Sequence, residues 1–454
     1  MIRSERELTA LQGTISGEVV LPGAPGYDTT RRPAIGRFHH VRPRAVVRCA
    51  DACDVVETLA VARLLRLPVA VRGGGHCFAG RSSTTGIVLD VSPMDAVTVA
   101  DGQAVVGGGT RLGPLYDALA AHGLTIPAGC GPTVGIAGLT LGGGFGALGR
   151  RYGLTCDHLA GARVVCGDGR VVDCDARREP DLFWALRGGG PGTAVVTALR
   201  FHPVPAPPTT VFHLAWPAPA AAAVVAAWPG WAPTAADELT ATLRLVAPAE
   251  PDRPVEVALV GTVLDGDPVP LLDEFVRRAG AEPTRATSAP GSYREAKRSL
   301  AGLGGSGADQ PGVRYGRSGF FRRPLPADAA AALAHAVVAR RVPGERHEVA
   351  FTPWGGAYNR VPPDATAFAH RAEAYLAEVA VVTSGGVPRG LHRSWAAIAP
   401  FGTGGVYPNF PDPDRALPAA AYHGPHHDRL RRIRSATDPD AVLSTRLEEP
   451  CPAP

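Results

Sequence analysis

Two glycine-rich stretches contain the residue types that could do chemistry in this chain of 454 residues. The first reads VAVRGGGHCFAG over residues 69–80, where three glycines are followed at once by His76. The second reads GCGPTVGIAGLTLGGGFGALGRRYGL over residues 129–154. Consecutive glycines leave backbone N–H groups uncovered and let a ligand approach closely, which suits a pyrophosphate. Neither stretch has the GK[ST] ending of a Walker loop. Neither fits a Rossmann fingerprint, because the second stretch is not preceded by a clear strand. A nucleotide phosphate site and plain tight turns therefore both stay open at this point.

Short strands, hairpins and helices are predicted around these stretches, which favours an α+β arrangement over a regular βαβ series. Asp51 is a predicted N-cap for a helix over 51–66. Tight turns are predicted at Asp101-Gly102 and Asp168-Gly169. The other predicted elements are strands in 68–72 and 86–92 and a helix over 111–123 that ends at Gly123.

The pattern changes after a proline-rich stretch at 202–220, which we interpret as a linker or domain crossing. Residues 238–247 and 254–265 alternate as strands do, so an antiparallel sheet with covering helices is predicted for about 209 to 395. Three helices are predicted at 270–280, 327–341 and 365–379, a flexible insert at 303–319, and a final helix within 426–444.

Composition excludes several classes of function. The formal net charge is +4 and no long basic run occurs, so no nucleic-acid partner is indicated. No stretch reaches the ~18 apolar residues of a membrane span, and the N-terminus lacks the apolar core of a signal peptide. The eight cysteines form no CxxC pair, so no metal site is predicted and reduced thiols in a cytoplasmic protein are expected.

Both glycine stretches resemble the FAD-linked oxidases of the vanillyl-alcohol oxidase (PCMH-type) superfamily. The resemblance is greatest to the branch of berberine-bridge-enzyme-like and 6-hydroxynicotine-oxidase-like proteins. DLFWALRGGG at 181–190 and YPNFPDPD at 407–414 are also similar to family stretches and follow in the family's order. The resemblance covers most of the chain.

The resemblance implies a two-domain fold and an FAD cofactor. It predicts an FAD domain over 1–205, a substrate domain over 206–399, and a segment 400–454 that returns to the FAD domain. His76 is expected to bond covalently to the 8α-methyl of the isoalloxazine, and a neutral imidazole is a good nucleophile near pH 7. The expected cofactor-binding residues are Arg72, Gly73, Gly74, Gly75, His76, Cys77, Gly80, Arg81, Ser82, Cys130, Gly131, Thr133, Val134, Gly135, Gly138, Leu141, Gly142, Gly143, Gly146, Val195, Tyr407 and Asn409.

Three departures from the family concern the site itself. Many relatives attach the flavin a second time through a Cys in a C-P-T-V-G context, but here Gly131 stands at that place and Cys130 comes one residue early. Since one residue moves Cα by ~3.8 Å, a single link through His76 is predicted. Residues 191–195 replace the family's usual continuation, Gly-Asn-aromatic, after RGGG.

The third departure concerns the catalytic base. Phe410 replaces a tyrosine that serves as the base in many relatives, and it cannot take a proton. Tyr407 and Asn409 are the catalytic candidates, and Tyr407 could equally only pack near the ring. Further candidates for the base are Tyr315, Tyr358, His370 and His392.

The resemblance implies an oxidase that passes hydride from a small-molecule substrate to flavin N5, with reoxidation by O2 to H2O2. A tailoring step of bacterial specialised metabolism, such as antibiotic biosynthesis, is the expected setting. The alternatives are oxidative cyclisation, desaturation or hydroxylation on the same flavin, and a flavin-bearing scaffold without redox turnover. A monomer or homodimer without membrane partners is expected.

Overall fold

Three large β-sheets, a two-stranded ribbon of Leu124–Thr125 with Val204–Pro205, and packed helices form the chain in its computed structural model, which describes residues 3–304, 312–384, 388–415 and 417–443. The strands are β1 Glu18–Val20, β2 Ala45–Arg48, β3 Val69–Arg72, β4 Ile87–Asp90, β5 Val97–Ala100, β6 Gln103–Gly107, β7 Leu124–Thr125, β8 Leu159–Val165, β9 Val171–Cys174, β10 Val195–Phe201, β11 Val204–Pro205, β12 Thr209–Trp216, β13 Leu239–Ala247, β14 Glu256–Leu264, β15 Arg285–Gly291, β16 Val313–Phe321, β17 Glu345–Pro353 and β18 Tyr375–Thr383. The helices are α1 Arg3–Leu11, α2 Tyr27–Thr30, α3 Ala52–Leu65, α4 Leu112–Ala120, α5 Ile136–Leu141, α6 Gly149–Tyr152, α7 Pro180–Leu186, α8 Ala221–Ala227, α9 Val269–Ala279, α10 Tyr293–Gly304, α11 Ala327–Val338, α12 Ala357–Arg360, α13 Arg389–Ile398, α14 Ala419–His423 and α15 His427–Thr437.

The first sheet has the order β1-β2-β4-β3, and β4 runs parallel to both β2 and β3. Helix α3 connects β2 to β3, and the carboxylate of Asp51 accepts hydrogen bonds from the N–H groups of Cys53 and Asp54, as an N-cap does. Strand β3 ends at Arg72, directly before the three glycines. The first sheet therefore presents the first glycine stretch at the carboxyl end of a buried strand.

The second sheet has the order β5-β6-β10-β8-β9 and is antiparallel throughout. Both predicted hairpins occur in it. Asp101 and Gly102 have φ angles of 51° and 71°, the left-handed pair that a two-residue turn requires. A bridge between Arg111 and Gly135 fixes the second glycine stretch beside the start of α4.

The third sheet is antiparallel and has seven strands in the order β15-β12-β14-β13-β17-β18-β16. Alternate residues of β17 are buried and half-buried, so the strand has two different faces. One face packs with helices α8, α9, α11 and α13 in a core that includes Trp228, Phe275, Leu333 and Leu391. The opposite face of β16–β18 is turned toward the glycine stretches.

Two of the elements predicted from the sequence are wrong. Residues 365–379 are not a helix, because Tyr375–Thr383 forms β18. That strand lies between β16 and β17 and is apolar on both faces except at Glu378 and its last residue, so it lacks the alternation that marks a strand. The predicted insert at 303–319 contains most of β16, and residues 305–311 lie outside the described residues. The glycine at position 319 does not mark a loop. It lies within the strand, where a Cβ would meet the Trp395 ring at 2.7 Å.

The proline-rich segment 202–220 is also more ordered than a linker, since it contains β11 and β12. Near the other end of the chain, the N–H of Val69 donates to Val442 O at 2.8 Å, so the final described residues pack against β3. The boundaries at 205 and 399 stay a prediction. Within the described residues, no helix is long and apolar enough to cross a membrane, and seven cysteines are free thiols.

Candidate functional site

A cavity of about 640 Å³ lies between the two glycine stretches and the seven-stranded sheet. We call residues 73–82 the first glycine loop and residues 129–146 the second glycine loop. Most of the predicted cofactor residues line this cavity, although they come from distant parts of the chain. They are Gly73, Gly74, Gly75, His76, Cys77, Arg81, Ser82, Cys130, Gly131, Val134, Gly135, Gly138, Leu141, Tyr407 and Asn409.

The two loops touch each other through bare backbone. A Cβ on Gly135 would lie 2.5 Å from the nitrogen of Gly74, and a Cβ on Gly74 would collide with Gly135 in return. Gly75 has a φ of 74°, which favours glycine. In the part of the chain that the structure describes, no acceptor is recorded for the N–H groups of Gly74 and Gly75. The contact thus leaves backbone donors at the cavity wall.

His76 is oriented by a residue of the other loop. Its Nε2 lies 2.9 Å from Oγ1 of Thr133, although Thr133 itself does not line the cavity. A hydrogen bond to one ring nitrogen holds the orientation of an imidazole.

The Cys130 thiol lies at the edge of the cavity beside Lys297, whose Nζ is 3.9 Å from its Sγ. Lys297 also donates to the carbonyl oxygens of Ala128 and Gly129. Its ammonium faces the ring of Tyr116 at 4.8 Å. Burial lowers the pKa of Lys297. These contacts attach α10 to the second glycine loop at Cys130.

Two predicted cofactor residues, Arg72 and Gly80, do not line the cavity but contact the residues that hold the first glycine loop in place. Arg72 is buried and donates to the carbonyl oxygens of Thr30, Arg31 and Ser82, and burial lowers its pKa to about 10. Gly80 lies under the Phe38 ring, where a Cβ would approach within 2.5 Å.

Tyr407 and Asn409 form a hydrogen-bonded pair at the opposite end of the second glycine loop. The phenolic oxygen of Tyr407 accepts from the Asn409 amide and from the N–H of Gly144, both at 3.1 Å. Asn409 also donates to Leu139 O at 2.9 Å and fills the space that a Cβ on Gly142 would need. Burial raises the pKa of Tyr407 far above its usual value, although those donors oppose it. Tyr407 therefore stays protonated near neutral pH and keeps a phenolic proton that it can donate.

Three phenylalanines close the cavity around Tyr407. Phe145 and Phe410 each meet the Tyr407 ring edge-on with centroids 5.1 Å apart, and Phe78 lies 5.7 Å from Phe410. Such edge contacts are favourable between aromatic rings. Phe410 thus presents an apolar surface beside Tyr407.

The wall opposite the loops is charged, and the sequence did not indicate it. Glu348 accepts from Arg244 at 2.7 Å and from Arg346 at 2.8 Å, while Arg314 donates to Glu378. We call these five residues the charged wall; all but Arg244 line the cavity. Burial alone would raise the pKa of Glu348, but the two arginines outweigh it and the pKa is lowered. The available signal was the run of four polar residues at 345–348, and a run within one strand does not show which of them face a site.

Some predicted residues lie outside the cavity. Val195 points into the core of the first sheet, and its neighbours in the chain, Ala194 and Val196, line the cavity instead, because side chains alternate in extended backbone. Gly143 packs against Phe368, and Gly146 against the carbonyl of Ala128.

The additional candidates for the base do not line the cavity either. The Tyr358 hydroxyl donates to Gly146 O at 3.1 Å, and Tyr315 lies under the Arg37 guanidinium. His392 is exposed on α13, and burial lowers the pKa of His370 to about 4.

Comparison with known proteins agrees with this geometry. Residues 43–175 match the FAD binding domain family. The uncharacterised FAD-linked oxidoreductase YgaK of Bacillus subtilis is 32% identical over 96% of this chain and 97% of its own. The chain belongs to the FAD-linked oxidoreductases.

The (R)-6-hydroxynicotine oxidase of Paenarthrobacter nicotinovorans is 39% identical over 190 residues, 41% of each protein. The solved structure of Physcomitrella patens BBE-like 1 superposes with a TM-score of 0.87 at 26% identity, over 98% of this chain and 99% of that one.

These findings confirm the predicted family, the two-domain α+β fold and the enzyme class of this FAD-linked oxidoreductase. Its residues also fit the cofactor. Ser82 Oγ is buried at the cavity without a hydrogen-bond partner among the described residues, and the N–H groups of Gly74 and Gly75 lie in the same loop. Buried polar atoms in proteins are nearly always satisfied, so these donors are suited to an anionic ligand such as a pyrophosphate.

Proposed function

We propose that this FAD-linked oxidoreductase is an oxidase for a small-molecule substrate that reduces O2 to H2O2. One observation carries the proposal: the glycine loops with His76 form one wall of a single cavity and the charged wall forms another. A cofactor on the first wall and a substrate against the second would lie face to face. FAD, when bound, supplies a hydride acceptor at N5 and a route for both electrons to O2.

The covalent link is proposed to form at His76 alone. If Nε2 of His76 donates its proton to Thr133 Oγ1, the lone pair lies on Nδ1, which is then the nucleophilic atom. Cys130 is proposed to stay unlinked. Gly131 occupies the position from which the family's cysteine bonds the ring, and the Cys130 thiol contacts Lys297.

Proton transfer is assigned to Glu378 of the charged wall. Both carboxylate oxygens of Glu348 already accept hydrogen bonds from arginines. Arg314 donates to Oε1 of Glu378, and no donor to Oε2 is recorded within the described residues. A carboxylate with an open oxygen at a cavity wall can accept a proton from a substrate O–H or N–H. Tyr407 and Asn409 would then orient the reacting groups, and Phe410 would exclude water.

The presence of Glu378 favours a redox enzyme over a flavin-bearing scaffold without turnover. Phe410 cannot exchange a proton, but Glu378 gives the site an acid–base group. Oxidative cyclisation, desaturation or hydroxylation would use the same groups. We place the reaction in a tailoring step of bacterial specialised metabolism by analogy with the branch that the sequence resembles. The expected reduced thiols favour a cytoplasmic setting.

The test is to measure H2O2 and O2 consumption with a panel of alcohols, amines and reduced heterocycles. The oxidase proposal expects one H2O2 per substrate oxidised. Flavin reduction that only an artificial acceptor reverses would contradict it, and flavin that no substrate reduces would favour the scaffold. Glu348→Gln and Glu378→Gln, compared side by side, separate the two carboxylates.

A further inference from the structure

The charged wall holds more positive than negative charge. Arg244, Arg314 and Arg346 face only two carboxylates, Glu348 and Glu378, in the ion pairs that the structure records there. Arginines remain protonated at any physiological pH, and Glu348 stays ionised because its pKa is lowered. The five residues of the wall therefore carry a surplus of one positive charge when both carboxylates are ionised. Glu256, which is exposed at the start of β14, also interacts electrostatically with Arg244 and Arg346 but lies outside the cavity. A partly enclosed surplus charge attracts a complementary ligand group more strongly than an exposed one does.

Arg346 is the residue at which this surplus is available. Its Nη1 donates to Glu348 Oε2 at 2.8 Å, and the structure records no partner for its Nε or Nη2 among the described residues. The opposite oxygen of Glu348 is already taken by Arg244 through two nitrogens, at 3.0 and 2.7 Å. The Arg346 side chain is 25% exposed and lines the cavity. Two donors of a planar guanidinium are thus available at the cavity, and their geometry matches a carboxylate.

The register of the sheet places a second guanidinium opposite. Arg346 on β17 and Arg314 on β16 both pair with Val382 of the strand between them. Neighbouring strands are ~4.8 Å apart, so the two Cα atoms are separated by roughly 10 Å on the same face. Arg314 also lies 4.2 Å from the centre of the Phe78 ring, which belongs to the first glycine loop. The apolar side chain of Val382 lies between the two arginines.

We infer that the substrate carries an anionic group, either a carboxylate or an acidic enol, and that Arg346 binds this group. Arg314 lies on the other side of Val382. The inference rests on the proposed function and specifies the substrate class for that same cavity. Glu348 has a positioning role here, because it fixes one edge of the Arg346 guanidinium and leaves the other edge toward the cavity. The remainder of the substrate would then extend from the arginines toward Glu378 along β18, where Ala380 leaves room.

The experiment is calorimetric titration of the FAD-loaded protein with benzoate and hexanoate, each compared with its neutral amide. Charge-assisted hydrogen bonds predict that at least one carboxylate binds about tenfold or more tightly than its amide. Arg346→Gln should abolish this preference, and Arg346→Lys should restore part of it. Arg253→Gln, at an exposed arginine in the loop between β13 and β14, should leave it unchanged.

Equal binding of acid and amide, no binding of either carboxylate, or a preference that survives in Arg346→Gln would each overturn the inference. The thermal unfolding midpoint of each variant shows whether it has folded. The H2O2 assay is run separately. If a carboxylate binds but no member of the substrate panel yields H2O2, the oxidase proposal is refuted and the anion site stands. If only neutral substrates yield H2O2, the oxidase proposal stands and the anion site is refuted.

Discussion

The Thr133 hydroxyl lies 2.9 Å from Nε2 of His76, although 57 residues separate them in the chain. This bond connects the two glycine loops through the proposed attachment residue. Thr133→Val removes the hydroxyl and keeps the shape, so the imidazole loses the hydrogen bond that holds its orientation. We expect covalent incorporation of FAD to slow about tenfold, since one hydrogen bond is worth ~1 kcal/mol or slightly more. The measurement is the yellow colour retained in acid-precipitated protein over time, and Thr133→Ser is the matched control that should keep the wild-type rate. Equal rates in both variants would refute the assigned role.

Peptide mass spectrometry tests the single link. A digest should contain a flavinylated peptide with residue 76 and an unmodified peptide with Cys130. Cys130→Ser should retain the full covalent yield, and His76→Ala should hold FAD only non-covalently. Two peptides cross-linked through the flavin would show that the Cys130 thiol reaches the ring despite Lys297.

Gly74 is the most sensitive glycine of the contact between the loops. In Gly74→Ala, the new Cβ collides with the backbone of Gly135, which cannot turn aside as a flexible side chain would. We expect a loss of ~1–3 kcal/mol in the free energy of unfolding, together with weaker FAD binding. Gly230→Ala is the control, because a Cβ there meets nothing within 4 Å. Urea unfolding of both variants decides the matter, and equal stability would contradict the packing argument.

Glu378→Gln should lower kcat by about 10²- to 10⁴-fold if Glu378 is the general base. The acidic limb of the kcat/KM profile should disappear, which a merely structural role would not cause. Glu348→Gln is the matched comparison and should affect substrate affinity more than kcat. An unchanged pH profile in Glu378→Gln would place the base elsewhere.

Two buried histidines predict how stability depends on pH. Burial lowers the pKa of both His347 and His370 to about 4, so each is neutral in the native state at neutral pH. The unfolded chain binds these protons near pH 6.5, and stability therefore falls as the pH drops from about 6.5 to about 4. The slope has an upper limit of roughly 1.4 kcal/mol per pH unit for each histidine. Urea unfolding at several pH values should show a smaller slope for His347→Gln than for wild type, whereas the exposed His392→Gln should match wild type. An unchanged slope in His347→Gln would contradict the assignment.

The sequence predicted those parts of the fold and of the site that depend on neighbouring residues. A capped helix at Asp51 and tight turns at Asp101-Gly102 and Asp168-Gly169 are local features, and the structure has them. The glycine loops were equally recognisable, because bare backbone beside His76 is a property of consecutive residues. The wrong helix at 365–379 shows the limit of such reasoning. Strand β18 forms because β16 and β17 supply its hydrogen-bond partners, and no pattern within the segment reveals them.

Only the tertiary structure decided which side chains face the cavity. Val195 was predicted there, but the pleat of β10 turns it into the core and leaves its neighbours at the wall. The charged side chains at the cavity come from three strands, and they form a site only because the sheet register places them on one face opposite the loops. They are Arg314, Arg346, Glu348 and Glu378. The sequence by itself thus determined the cofactor side of the site, where the chemistry lies in short contiguous runs. The substrate side depends on the pairing of distant strands, because register and face are set by long-range packing.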